Sequence, residues 1–527
     1  MRHRGLGNWI HRRREKSRGK TAIISPFGEL SYDELADRID QLAAALADAG
    51  VSRGDRVAYL GENHPAFLET LFATTSLGAI FVPLNTRLVP AEIAFALKDS
   101  GASVLIFSRV LEGLAVLAHR QLSTETEDVT EPSLGLLIAV NDGEPVDYAR
   151  PDDSPEILQY EDFLASSAGA EHRDVPVALE DPAVILYTSG TTGNPKGAVL
   201  SHQNFTWNSF NVLVDYDVSS TDVAMMIAPM FHVASLGMGV LPMLLKGATV
   251  VLEPKFDPGR TLELIEKHQA TSISGVPTTY QMLCEHPDWD RRDISSLGKL
   301  TCGGSAVPHR VMDAYEERGL SFSGGYGMTE TSPGATSMQP AMSRIKAGSA
   351  GLPHFFTDIR IVDPLGEPCS VGEVGEIQIQ GPNVIAEYWN RPDATAASYD
   401  EGGWFKSGDM GYRDEQGYLF ISDRLKDMII SGGENIYPAQ VEQEIAQLPQ
   451  VGSVAVIGVP DEKWGEVPKA IIVLRDGFQL SVAEVREYLA DRVAKYKIPP
   501  TVEFVADMPR TASGKIRKTD LRKKYAN

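Results

Sequence analysis

A chain of 527 residues is longer than one simple core accommodates, so about two to four domains are expected. Hydrophobic residues at 43% and charged residues at 23% describe an ordinary globular protein, and a net charge of −22 makes its body repel nucleic acid. The three cysteines, Cys284, Cys302 and Cys369, lie far apart without metal-ligand spacing, and no apolar leader is present; together these predict reduced thiols and a cytoplasmic enzyme.

The first twenty residues carry eight Lys or Arg against one acid, Glu15. They are expected to be a solvated basic terminus; the alternative is weak peripheral contact of residues 1–20 with an anionic membrane surface. From Leu30 the pattern becomes regular. Ser31 and Glu34 form a capping box before a helix over residues 33–50. Strands at 56–61, 79–84 and 103–107 alternate with helices at 64–78 and 90–101, the βαβ spacing of a largely parallel sheet. The most apolar run, Leu68 to Leu84, contains Glu69 and is too short to span a bilayer. Residues 124–170 read as an acidic excursion with one strand at 134–140. The strand–helix alternation returns in VAMMIAPM, GATVVLE and ATSISGVP. Short strands with Gly/Pro turns over 351–411 suggest a small antiparallel barrel or sheet, and a compact α+β unit follows Asp423.

One stretch stands out, TSGTTGNPKG at 188–197. Seven of its ten residues are Gly, Ser or Thr, it follows the apolar strand AVILYT, and it ends on Lys196. Small residues let backbone N–H groups close on an anion, hydroxyls add donors, and the lysine adds charge, so this apparent strand-to-helix transition should embrace phosphates. It does not fit the Walker A spacing.

This stretch resembles the phosphate-binding signature of the adenylate-forming superfamily: acyl-CoA synthetases, nonribosomal-peptide adenylation domains and beetle luciferase. Further signatures recur in order along nearly the whole chain: GGSAVP at 303–308, GGYGMTETS at 324–332, SGD at 407–409, DRLKDMI at 423–429, ISGGENIYP at 430–438 and PRTASGKIRK at 509–518. The resemblance implies an α/β fold. A large N-terminal domain, 1–423, would hold parallel sheets flanked by helices and a small β-barrel-like subdomain. A small mobile α+β C-terminal domain, 424–527, would turn on a hinge near Lys426.

The resemblance also implies roles. ATP or AMP would be held by Thr188, Ser189, Gly190, Thr191, Thr192, Gly193 and Lys196, by Gly304, Ser305 and Ala306, by Gly325, Tyr326 and Gly327, and by Asp409, Ile421 and Arg424. Tyr326 would stack on adenine and Asp409 would accept from the ribose hydroxyls. Thr329 would touch the α-phosphate, and Glu330 would hold Mg2+, a hard cation suited to carboxylate and phosphate oxygens. Lys515 would be the catalytic lysine. His232, beside Phe231, would line or gate the carboxylate site, with Val233, Ala234, Gly237, Gly304, Gly327 and Met328 along the acyl pocket. Ser431, Gly432, Gly433 and Glu434 would admit the pantetheine arm of CoA.

These parts suit a two-step reaction. A carboxylate oxygen attacks the α-phosphorus of ATP, pyrophosphate leaves, and a thiol then takes the acyl group from acyl-AMP, with catalysis by positioning and electrostatics. The expected enzyme is an acyl-CoA synthetase, acting as monomer or homodimer. The small residues Ala234, Gly237 and Gly239 predict a long or wide pocket, for a medium or long fatty acid or a substituted cinnamate such as ferulate. The alternative acceptors are a carrier-protein thiol or an amine. A nucleotide-binding protein that releases no thioester is the reading from another class.

Overall fold

The computed structural model describes residues 5–125, 134–145, 154–173, 175–188, 195–304, 307–424, 427–431, 434–490, 492–511 and 515–525. Two large sheets form the N-terminal body. The eight-stranded sheet runs, edge to edge, through Glu387–Tyr388, Lys196–Ser201, Pro182–Thr188, Ile80–Leu84, Arg56–Leu60, Val104–Ser108, Leu136–Val140 and Leu158–Gln159. The seven-stranded sheet orders Phe322–Gly324, Lys299–Cys302, Ser272–Gly275, Val223–Met226, Thr249–Leu252, Thr21–Ser25 and Gly28–Ser31. Both are parallel except at one end, as βαβ spacing requires. The helix Pro65–Ser76 is buried along its whole length in the core shared by the two sheets. This explains an apolar run that is too short for a membrane. Among the described residues no helix is long and apolar enough to cross one.

Capping chemistry starts the helices where the sequence places them. Ser31 accepts from the Glu34 N–H while the Glu34 carboxylate accepts from the Ser31 N–H, and Ser481 and Glu484 repeat the pattern. The β subdomain is an open four-stranded antiparallel sheet, Asp358–Val362, Gly375–Gln380, Phe405–Arg413 and Leu419–Arg424. Beyond it, strands from Ile429 onward form a separate five-stranded sheet with helices Pro438–Ile445, Val482–Ala490 and Lys518–Tyr525. Two core clusters, one around Val456 and Ile472 and one around Ile457 and Ile471, draw only on residues of this C-terminal unit.

The basic N-terminus corrects the expectation of a solvated tail. Leu6, Trp9 and Ile10 are buried, and the helix Trp9–Lys16 packs into the main core. Its cations have partners: Arg13 donates to the Leu245 carbonyl at 2.6 Å, Lys20 to the Gly247 carbonyl at 2.6 Å, and Arg14 pairs with Asp37. The hydrophobic residues between the arginines decide the outcome, because burying them outweighs leaving the segment in water. Asp40, 4% exposed, completes the anchor by bonding His11 at 2.6 Å and His172 at 3.2 Å.

Candidate active site

Thr188 and Lys196 face each other across an antiparallel pair, Pro182–Thr188 with Lys196–Ser201. Lys196 therefore opens a second strand and not a helix; the helix His202–Asp215 starts only after that strand. That strand forms because Ala198, Val199 and Leu200 are buried within the sheet. Ser189, Gly190, Thr191, Thr192 and Gly193 lie outside the described residues. Their flanks are tied, with the Thr188 hydroxyl donating to the Lys196 carbonyl at 3.4 Å.

The segment from Gly325 folds back on itself. Gly327 bridges to Gly334, and a Cβ on Gly327 would sit 1.6 Å from the Pro333 carbonyl oxygen, so only glycine permits this closure. Thr329 and Glu330 stand in the 3-10 turn that follows Met328. The Tyr326 hydroxyl donates to Asp409 at 2.6 Å, and Asp409 lies opposite Arg424 in the antiparallel sheet. Ile421 and Tyr326 each pack against the core of that sheet. The predicted adenine and ribose residues thus come together on one surface. Glu330, 7% exposed, accepts from the buried Tyr388 hydroxyl at 2.8 Å.

Lys515 approaches Gly304 at the other side, with His232 within reach of its charge. A Cβ placed on Gly304, which has φ +88°, would lie 3.5 Å from the Lys515 Cε, and Lys515 is close enough to His232 to depress its basicity. Burial is the main cause, followed by the charges of Arg87 and Lys515, and together they bring the His232 pKa down to about 4. The site therefore holds a neutral imidazole near pH 7. Its ring lies 4.7 Å from that of Phe231. Ser305 and Ala306 lie outside the described residues.

The chain after His232 departs from expectation. Ser235–Val240 is a π-helix, an irregularity that clusters at functional sites. Val233 is buried and Ala234 is exposed. Gly237 and Gly239 are closely packed on the side where a Cβ would sit. The space beside Gly237 is taken by the Ser332 carbonyl, 2.5 Å from a hypothetical Cβ, and that beside Gly239 by the Met226 Cε, at 2.2 Å. Their small size serves close packing of the 327–334 turn and of the sheet.

On the C-terminal unit, Ser431 is buried and pairs with Glu434 in a tight antiparallel ladder. Gly432, Gly433 and Lys426 lie outside the described residues, as do the side chains of Arg424 and Glu434. The unit is tied to the body by Asp423, which accepts from the Ala439 N–H at 2.8 Å, and by an Arg475–Glu285 ion pair.

Sequence reasoning missed the asparagines that frame the site. Asn204, Asn208 and Asn211 are buried on one face of the helix His202–Asp215. Asn208 donates to the Gly237 carbonyl at 2.8 Å and accepts from the Gly334 N–H at 3.0 Å, joining the π-helix to the 327–334 turn. Asn383 donates to the carbonyls of Thr331 and Gly334. The 4- and 3-residue spacing of the helical asparagines is a legible signal, since a polar stripe at helical period is buried only where each amide is satisfied.

Among the described residues one group of three His, Cys, Asp or Glu side chains converges closely enough for a metal, the His11–Asp40–His172 anchor. The Arg14 guanidinium is 3.7 Å from the second Asp40 oxygen, so a fixed cation already occupies that side. Among the predicted nucleotide-site residues, Glu330 offers a buried carboxylate, a hard oxygen donor that fits Mg2+ and accepts a hydrogen bond from Tyr388.

The chain matches the model of the AMP-binding enzyme family over residues 10–389 and that of the AMP-binding enzyme C-terminal domain over residues 440–515. It is 49% identical over 525 residues to a feruloyl-CoA synthase of Amycolatopsis sp, covering 100% of both chains. It is 42% identical over 521 residues to the indoleacetate–CoA ligase of Aromatoleum aromaticum, covering 99% of this chain and 98% of that one. The solved structure of o-succinylbenzoate coenzyme A synthetase from Bacillus subtilis, in complex with ATP and a magnesium ion, superimposes with a TM-score of 0.83 at 31% identity, covering 98% of this chain and 99% of that one. The chain belongs to the AMP-binding enzyme family. Within that family it is an acid–thiol ligase, an ATP-dependent acyl-CoA synthetase that works through acyl-AMP and uses ATP, Mg2+ and CoA.

Proposed function

We propose that the acid is aryl-substituted, of the cinnamate or arylacetate type, and that adenylation proceeds in the domain arrangement described above. Two features support the aryl reading. The relatives of 49% and 42% identity are a feruloyl-CoA synthase and an indoleacetate–CoA ligase. Gly237 and Gly239 pack closely against Ser332 and Met226, which favours a compact pocket, and the Phe231–His232 pair offers aromatic faces beside them.

The observation that carries the mechanism is the approach of Lys515, from the C-terminal unit, to Gly304 and His232. In this arrangement the lysine neutralises the reacting carboxylate and α-phosphate oxygens, and the neutral His232 packs against the acyl carboxylate without trapping it in an ion pair. Thr188, Lys196 and the loop between them enclose the triphosphate, Tyr326 and Asp409 hold the adenosine, and Thr329 contacts the α-phosphate. Glu330 would hold Mg2+, which supplies charge neutralisation to the phosphates. Carboxylate oxygen bonds to the α-phosphorus as the bond to pyrophosphate breaks. The CoA sulfur then bonds to the acyl carbon as AMP leaves.

For the second step the unit 424–527 turns against 1–423 about Lys426, bringing Ser431, Gly432, Gly433 and Glu434 to the site vacated by Lys515. The N-terminal segment serves folding on this reading, since its apolar residues face inward. Pyrophosphate release with a panel of ferulate, indoleacetate, medium-chain and long-chain acids, with and without CoA, tests the proposal. The expected result is fastest turnover with an aryl acid and an acyl-CoA product; preference for a long-chain acid would refute the aryl assignment, and release unaffected by CoA with no thioester formed would refute the acceptor.

A further inference from the structure

A residue outside every motif used above links the two halves of the nucleotide site. The short strand Glu387–Tyr388 pairs antiparallel with the strand that opens on Lys196, Tyr388 facing Ala198 and Glu387 facing Val199. Two backbone bonds flank that pairing. The Trp389 N–H donates to the Gly197 carbonyl at 2.7 Å, and the Ile385 N–H donates to the Glu330 carbonyl at 2.9 Å. One segment thus grips both the far arm of the phosphate loop and the turn that carries the candidate metal carboxylate.

The Tyr388 side chain repeats this link. Its hydroxyl donates to the Glu330 Oε1 at 2.8 Å, in a setting where both residues are under 10% exposed. Its ring lies 5.3 Å from the Lys196 Nζ, so the loop lysine rests over the ring that orients the carboxylate. The backbone at this residue is held in turn, because the Tyr388 N–H donates to the Thr395 hydroxyl at 3.0 Å. Burial first, then the Glu330 charge, raises the phenol pKa, which keeps the hydroxyl protonated as a donor.

We propose that Tyr388 is a positioning residue for the MgATP site: its hydroxyl aims the Glu330 carboxylate at the cation, and its ring face seats Lys196 at the foot of the phosphate loop. A tyrosine does both tasks because it separates a cation from an anion by the width of one ring, leaving the lysine available to phosphate and the carboxylate available to metal. The inference rests on the reading of Glu330 and Lys196 as ligands of metal and phosphate.

The test compares Tyr388→Phe, which keeps the ring, with Tyr388→Leu, which removes both functions, and with Glu330→Gln. The readouts are the Mg2+ dependence of pyrophosphate release at saturating ATP, KM for ATP at saturating Mg2+, and Mn2+ affinity for the enzyme bound to α,β-methylene-ATP, measured by electron paramagnetic resonance. Loss of an outer hydrogen bond to a metal ligand typically weakens the metal about tenfold. Tyr388→Phe is expected to need about tenfold more Mg2+ and to bind Mn2+ about tenfold more weakly, with KM for ATP and kcat at saturating Mg2+ near the parent. Tyr388→Leu is expected to raise KM for ATP as well. A Glu330→Gln protein that loses Mn2+ affinity beside an unchanged Tyr388→Phe protein overturns the role of Tyr388. Unchanged affinity in both overturns the reading of Glu330 itself. A Tyr388→Phe protein that loses kcat, both affinities and thermal stability together shows a merely structural residue and also overturns the proposal.

Discussion

Replacing His232 by glutamine should flatten part of the acid dependence of stability. Burial, Arg87 and Lys515 depress the His232 pKa to about 4, against an unfolded value of 6.5. The sign follows from proton counting. Below pH 6.5 the unfolded chain binds a proton that the folded chain refuses until pH nears 4, so stability falls as pH drops between those values. Each tenfold change in proton affinity is worth about 1.4 kcal/mol, which caps the effect at about 3 kcal/mol. Between about pH 7 and pH 5 the loss amounts to about 2 kcal/mol. Chemical denaturation of the parent and of His232→Gln across that range measures it. The curves should converge by about 2 kcal/mol at the acid end relative to their separation at pH 7. Parallel curves would refute the argument and place His232 in contact with water.

Two further outcomes follow from packing and charge. Gly327→Ala puts a methyl 1.6 Å from the Pro333 carbonyl, so the turn must open; adenylation should fall by at least about tenfold while the C-terminal unit keeps its own unfolding transition, and pyrophosphate release with calorimetry checks both. At Asp40, burial works to raise the pKa, but hydrogen bonds from His11 and then His172 outweigh it and hold the carboxyl below its usual range. That stabilisation is complete above about pH 4 and is lost as pH falls through the lower folded value. Asp40→Ala should accordingly speed hydrogen exchange across residues 6–16 at neutral pH, where the parent is protected, and leave pyrophosphate release near the parent rate.

The parallel alternation, the capping boxes and the order of the motifs were legible because each is local: period, cap and loop chemistry lie within about a dozen residues. Tyr326 with Asp409, and Lys515 with Gly304, were reachable only through the resemblance, since residues 83 and 211 positions apart carry no local sign of contact. One reading went wrong and two features escaped notice for one reason, that burial depends on what arrives from elsewhere in the chain. The N-terminal arginines looked solvated until the cores around Leu245 and Asp40 received them. The close packing at Gly237 and Gly239 comes from Ser332 and Met226, which are distant in sequence. Tyr388 lacked any local mark, because its importance comes from Glu330, 58 residues earlier, and from a lysine on a neighbouring strand.

The proposed mechanism requires Lys515 to act in adenylation alone. Lys515→Ala, given ferulate and ATP, should release pyrophosphate at least about 10² more slowly than the parent, the usual cost of removing one donor to developing charge. Supplied with preformed feruloyl-AMP and CoA, the same protein should make the thioester near the parental rate. Equal loss in both half-reactions would contradict the account, as would full adenylation by the variant.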